Sequence, residues 1–201
     1  MEQRFVLDTS LFTNPDVFSQ FDSEPQKAIA VFAELALAAP ARFYMPVSVF
    51  GELCNMRDLA PHAGLFQAAV RLRSPRRFSL SIPAAMLYDF IDEMRSRVDK
   101  GLKVAEEWLR RAGEITEEPP EVLVTKLRER FRVTMRQGII DSKEDMDVLL
   151  LALELEAALV SADGGLRTWA DKAGIELADC QVFRKTLEAL IEHKAPLQKA
   201  F

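Results

Sequence analysis

The sequence predicts an α/β fold, a small parallel sheet with helices around it, interrupted by a long helical hairpin. Three observations predict it. Short apolar runs alternate with amphipathic helical segments, the order expected of a parallel sheet. Two of those runs lead into an aspartate: Asp8 after "RFVL" and Asp163 after "ALVSA". Between Pro83 and Gly138 the pattern changes to two long helices in succession. The competing expectation is an all-helical fold in which the short runs are not strands.

Taken in order, Phe5, Val6 and Leu7 form a buried strand ending at Asp8. "SEPQKAIAVFAELALAA" is an amphipathic helix, with Ser23 as its N-cap and Pro25 in its first turn. Phe43 to Met45 is a second strand, and after Pro46 a helix runs through Glu52. "LFQAAVRL" continues as helix, and "RRFSLSIP" reads as an extended connection. "AAMLYDFIDEMRSRVDKGLKVAEEWLRRA" is one long helix, broken before "ITEEPPEV". Pro119 and Pro120 open the next helix, "EVLVTKLRERFRVTMRQG", and Gly138 stops it. The two form a helical hairpin. "DMDVLLLALELEA" is a helix, "ALVSA" a strand, "GGLRTWADKAG" a loop and helix, and "VFRKTLEALIEHK" the last helix. No internal repeat or low-complexity segment interrupts this order.

Composition narrows the function. The chain has 201 residues, 49% hydrophobic and 28% charged, as in an ordinary globular domain. No apolar run reaches ~18 residues, so no membrane span is expected, and the N-terminus lacks the marks of a signal peptide. Cys54 and Cys180 are far apart, without metal-ligand spacing, and read as reduced thiols of a cytoplasmic protein. With two His besides, a structural zinc site is not expected. The net charge of −5 argues against a general nucleic-acid coat, yet leaves room for local basic patches.

The acids carry the chemistry. Ligands of parallel α/β sheets bind outside the carboxyl ends of the strands. Asp8 and Asp163 fall at two such ends. Asp141 and Asp145 lie four apart at the start of one helix, where they share a face. Glu52 lies on the helix after the second strand. Carboxylates gathered in this way repel one another unless a cation neutralises them. Mg²⁺ or Mn²⁺ is the cation that prefers oxygen ligands and activates water against a phosphodiester. The chemistry so read is a metal-dependent nuclease. Each acid taken alone reads rather as a turn or cap residue, and it is the four at consistent positions that point to a site. Asp147 has two readings, a metal ligand or a cap or ion pair, and Glu52 is open in the same way.

"FVLDTSLF", "VSVFGEL", "DMDVLLLALELEAALVSAD" and the glycines after it resemble the four motifs of PIN-domain nucleases. With "DSKEDMDVLLLALEL", "LVSADGG" and the long insertion, essentially the whole chain resembles the small RNA-free ribonuclease P proteins of prokaryotes, the HARP family. The resemblance implies a PIN-like α/β/α sandwich over 1–82 and 138–201, with an inserted hairpin over 83–137 for RNA binding or oligomerisation. It implies an endonuclease that removes the 5′ leader of precursor tRNA with Mg²⁺ or Mn²⁺ and no RNA subunit. It maps a catalytic set onto Asp8, Asp141, Asp145 and Asp163, with Asp147 adjacent. Of these, Asp8, Asp145 and Asp163, together with Asp147 and Glu52, are the expected metal ligands. It also implies a homo-oligomer built from dimers. Two other readings remain: a PIN toxin cutting mRNA or tRNA, or a non-catalytic RNA-binding partner.

Arg128, Arg132 and Arg136 recur every four residues, so they line up along one helix face, with Lys126 and Arg130 flanking it. Glu129 alone is close enough to neutralise them, and binding of phosphates is the expected role. Arg71, Arg73, Arg76 and Arg77 are a second, weaker cluster, equally readable as a surface loop. Phe5, Phe12, Phe32, Phe43 and Phe50 occupy core-like positions, so no aromatic platform for RNA is expected. Leu87, Phe90, Ile91, Met94, Val98, Leu102, Val104 and Trp108 supply more apolar surface than a hairpin needs. Leu187, Leu190 and Ile191, then Leu197 and Phe201, add to it near the C-terminus.

Overall fold

A computed structural model describes residues 3–113, 119–136, 140 and 142–194, with Arg136 and Lys194 by backbone alone. The chain divides into two compact units, Met1–Ser81 with Ser142–Phe201, and Ile82–Asp141.

The first unit is built on five parallel strands: β1 (Gln3–Leu7), β2 (Ala41–Met45), β3 (Val70–Leu72), β4 (Ala158–Val160) and β5 (Leu177–Ala178). Their order across the sheet is β3-β2-β1-β4-β5. β1 is central, with Phe5 opposite Phe43 on one side and Ala158 on the other. A strand with neighbours on both sides and helices on its faces buries every residue, which is why Phe5–Leu7 and Ala158–Val160 are unbroken apolar runs.

Helices α1 (Ser10–Thr13), α2 (Pro15–Phe18) and α3 (Pro25–Ala38) follow β1. Then α4 (Val47–Met56) follows β2, and α5 (Ala63–Ala69) precedes β3. Further along come α8 (Lys143–Leu155), α9 (Gly164–Lys172) and α10 (Phe183–Lys194). One set, α3, α5 and α10, packs around buried aromatics. Phe12 meets Phe32 edge to face at 5.1 Å, Phe5 meets Phe183 at 5.3 Å, and Phe5 stacks on Phe43 at 5.5 Å. Each such ring removed from water contributes ~1.5–3 kcal/mol. The other set, α4, α8 and α9, meets through α8, whose Val148, Leu149, Leu151 and Ala152 are buried. Glu156 ends α8 in the left-handed region, φ 49°, and the Ala157 amide returns to the Ala152 carbonyl at 3.0 Å. This tight stop lets β4 begin at Ala158.

The structure amends several local expectations. "LFQAAVRL" is not helix throughout: α5 stops at Ala69, and Val70–Leu72 pairs with Phe43–Met45 as an edge strand. Glu24, not Ser23, is the residue before α3, and its side chain makes no cap. The two short helices α1 and α2, and the two-residue β5, have no counterpart in the sequence reading. Phe50 is only half-buried, stacked on Phe66 at 5.8 Å.

The second unit is a pair of helices, α6 (Ala84–Gly113) and α7 (Pro120–Arg136), packed on each other. Gly101 is buried in α6, and a Cβ there would lie 2.7 Å from the Phe131 ring. A side chain at 101 would therefore hold the helices apart. Gly138, expected to stop α7, lies outside the described residues. No helix among the described residues is long and apolar enough to cross a membrane.

Candidate active site

All five strands end at one edge. The strand order turns back between β1 and β4, and a crevice opens outside the carboxyl ends at such a point. Asp8 directly follows β1. Ser161, Ala162 and Asp163 directly follow β4.

Asp8 lies at this carboxyl edge and is buried, 4% exposed. Its Oδ1 accepts the Thr9 amide at 2.7 Å. Its Oδ2 accepts the hydroxyls of Ser10 at 2.5 Å and Ser161 at 2.7 Å. Donors of this kind are what a buried carboxylate requires. Ser161 Oγ also accepts the Asp163 amide at 3.0 Å, and Ser10 Oγ accepts the Ala162 amide at 2.8 Å. The two hydroxyls thus tie the end of β1 to the end of β4. Asp163 is exposed at the rim, where its Oδ1 accepts the Leu166 amide at 2.7 Å and caps α9.

The first turn of α8 adds two more acids. Ser142 Oγ accepts the Asp145 amide at 2.9 Å as N-cap, which sets Glu144 and Asp145 at the helix end that favours negative charge. Glu52, on α4, is half-buried. Burial first, then the charges of Asp8 and Glu144, push its carboxyl above the ordinary range. Glu52 therefore lies within the field of both Asp8 and Glu144. Glu144 is absent from the sequence reading; its signal was its place beside Asp145 just after the cap Ser142.

Asp147 takes a different position. It is buried, its Oδ1 accepts Arg77 Nε at 3.0 Å, and its Oδ2 accepts Arg77 Nη2 at 2.5 Å and Ser48 Oγ at 2.6 Å. The ion pair among its readings is present. The rest of the second arginine cluster behaves alike. Arg73 and Arg76 both bind Glu154 of α8, whose side chain is 5% exposed, while Arg71 remains at the surface. Burial alone would raise the Glu154 carboxyl. Hydrogen bonds from the Arg76 amide and guanidinium, with the charges of Arg73 and Arg76, hold it below its ordinary value.

Asp141 lies outside the described residues. Among the described residues no three acidic, histidine or cysteine side chains stand ready-made to hold a metal ion. The acids at this edge are nevertheless all oxygen donors, and burial with the charges of Asp8 and Glu144 makes ionised Glu52 costly. Both properties fit a hard divalent cation.

On α7, Lys126, Arg128, Arg130 and Arg132 are exposed. Among the described residues Arg128, Arg130 and Arg132 have no acidic partner. The Arg136 side chain lies outside the described part of the chain.

Known proteins resemble the chain along nearly its whole length. A sequence profile described as a PINc domain ribonuclease matches residues 4–192. A protein of Halorhodospira halophila named RNA-free ribonuclease P is 53% identical over 188 residues, 94% of this chain and 91% of its own. One of that name from Nitrosococcus oceani is 50% identical over 195 residues, 96% of this chain and 98% of its own. Another, from Thermococcus kodakarensis, is 40% identical over 191 residues, 94% and 96% of the two chains.

Proposed function

Because the chain belongs to the PINc domain ribonuclease family, and within it to the RNA-free ribonuclease P proteins, we propose that it removes the 5′ leader of precursor tRNA. It does so as a divalent-metal-dependent endoribonuclease without an RNA subunit. The observation that carries this reading is coverage. Identity over 94% of the chain leaves no room to omit Ile82–Asp141, so the likeness includes the hairpin as well as the sheet. A toxin-type PIN nuclease would be matched over the sheet-bearing unit alone.

Asp8, Asp145 and Asp163, with Glu52, are the residues that would hold Mg²⁺ or Mn²⁺, and Asp141 completes the catalytic set. When bound, the ion neutralises the phosphodiester and activates water. The chain's own part is positioning. Ser10 and Ser161 fix the Asp8 carboxylate, the cap of α9 fixes Asp163, and the cap of α8 fixes Asp145. Asp147 acts through its Arg77 and Ser48 bonds, as an anchor for α8 against α4. Arg128, Arg132 and Arg136, flanked by Lys126 and Arg130, hold phosphates of the tRNA body. The protein works in the cytoplasm as a homo-oligomer built from dimers, through the apolar face of α6 on which Leu87, Ile91, Val98 and Leu102 are exposed.

The test is incubation of 5′-labelled precursor tRNA with the protein and Mg²⁺. A single cut that releases the intact leader supports the reading. Cutting in the anticodon loop, or of mRNA, replaces it with the toxin reading.

A further inference from the structure

Phe78 is wholly exposed, at 106% of its reference surface. A single exposed apolar residue is ordinary; the loop that carries this one is not loose. It leaves β3 through Pro75, which is buried. The Arg77 amide donates to the Pro75 carbonyl at 2.9 Å, and the Ser79 and Leu80 amides both donate to the Arg76 carbonyl at 3.0 Å. Side chains before the ring fasten the same loop to α8. Arg73 and Arg76 bind Glu154, and Arg77 binds both oxygens of Asp147. On a slack loop the ring would fold back onto apolar surface. Here it is held out in water.

Its address is the acidic edge. β3 runs parallel to β2 and β1, so this loop starts from the same side of the sheet as Asp8 and Asp163. Asp147 follows Glu144 by one helical turn of α8. The same Asp147 carboxylate accepts from Ser48, one turn before Glu52 on α4. The Arg76 and Arg77 side chains stay 69% and 53% exposed despite their ion pairs, and each guanidinium has more N–H groups than its pair uses. Arg71 is exposed as well.

We propose that Phe78 is a stacking platform for an unpaired nucleobase of the RNA substrate, on the leader side of the scissile phosphate. The proposal rests on the endoribonuclease reading above. An edge rich in carboxylates repels phosphates, and a ring stacked on a base adds a grip on the strand that does not depend on charge. Arginines beside the ring then take the flanking phosphates. The leader side is chosen because the bases of a paired stem already stack on each other. A base in a single-stranded leader has a free face. The sequence reading, which assigned the early phenylalanines to packing, holds no cue for Phe78.

The experiment uses full-length wild type, Phe78→Ala and Phe78→Trp with two precursor tRNAs. One carries 2-aminopurine at the leader nucleotide next to the cut, the other an abasic site there. Wild type and Phe78→Trp are expected to quench 2-aminopurine on binding, and Phe78→Ala is not. On unmodified precursor, Phe78→Ala raises KM about tenfold, ~1.4 kcal/mol, with a smaller change in kcat. The abasic substrate imposes the same loss on wild type and no further loss on Phe78→Ala. Equal quenching and equal KM for wild type and Phe78→Ala overturn the stack while leaving the activity in place. So does a changed oligomeric state of Phe78→Ala in light scattering, which makes the ring a contact between copies. Failure of wild type itself to cut precursor tRNA overturns the underlying reading, and the stack with it. Thermal melts of the variants show that the fold is intact, since the ring belongs to no core.

Discussion

Asp8 and Asp163 both end a strand, yet differ in what holds them. Asp8 is buried and fixed by hydroxyls, whereas Asp163 is exposed and fixed by the amide it caps. Asp163→Asn keeps the cap, because an amide oxygen accepts the Leu166 amide equally well. It is expected to lower kcat at least ~100-fold while RNA binding and melting temperature stay near wild type, as electrophoretic shift and calorimetry would show. Near-wild-type cleavage at millimolar Mg²⁺ would remove Asp163 from the site. Glu52 gives a pH-linked expectation. Its carboxyl is raised in the folded state, so folding is favoured below the ordinary value of 4.5, and that advantage fades as the pH climbs through the raised value. A bound cation relieves the penalty above it. Mg²⁺ at ~10 Kd should therefore raise Tm by about 3–5 °C at pH 8. Glu52→Gln should melt higher than wild type without Mg²⁺ and gain less from it. The places of Asp8, Asp145 and Asp163 were legible because strand ends and helix starts are patterned in sequence. Ser161 and Glu144 were not, because their parts depend on which strands become neighbours.

The element that most shapes the site is α8. Its first turn carries Glu144 and Asp145, while Asp147 and Glu154 fasten it to the loop after β3. Glu154 is held below 4.5, so its share of stability is present above that value and is lost as pH falls through the lowered one. Glu154→Gln should cost about 1 kcal/mol at pH 7, a modest figure because both arginines reach solvent. The gap from wild type should close in urea titrations as the pH falls well below 4.5, and a gap that persists in acid would deny the ion pairs their role. On α7, Arg128→Ala and Arg132→Ala should each reduce the salt slope of tRNA binding by about one, since each removes the cation that neutralises one phosphate. An unchanged slope would return these side chains to plain solvent. Helices with clear periodicity, such as α3, α6 and α8, were legible. β3 was not, because "AAVRL" carries too few residues to separate strand from helix, and pairing with β2 decides it. β5 is two residues on an edge, held by β4 alone.

At the scale of the whole molecule, α6 bears Leu87, Ile91, Val98 and Leu102 in water, each more than half exposed. Val104, grouped with them in the sequence reading, is instead buried within the hairpin. Leu187 is likewise buried in its own unit, and Leu197 and Phe201 lie outside the described residues. Light scattering on the eluting protein should give a mass well above a dimer. Ile91→Glu with Val98→Glu should reduce that mass while helical circular dichroism is retained, and a monomer at full activity without any mutation would end the assembly reading. The central place of β1 in the sheet also has a consequence for biogenesis. Ser10 and Ser161, which join the ends of β1 and β4, are 151 positions apart. A ribosome adding ~5–20 residues per second makes the first wait roughly 8–30 s for the second. Throughout that interval one edge of β1 is unpaired and apolar, open to a neighbouring nascent chain. Polysomes crowded on this message are thus the place where the protein is most exposed to misassembly, and a nascent chain released before Ser161 would lack the hydroxyl that fixes its first aspartate.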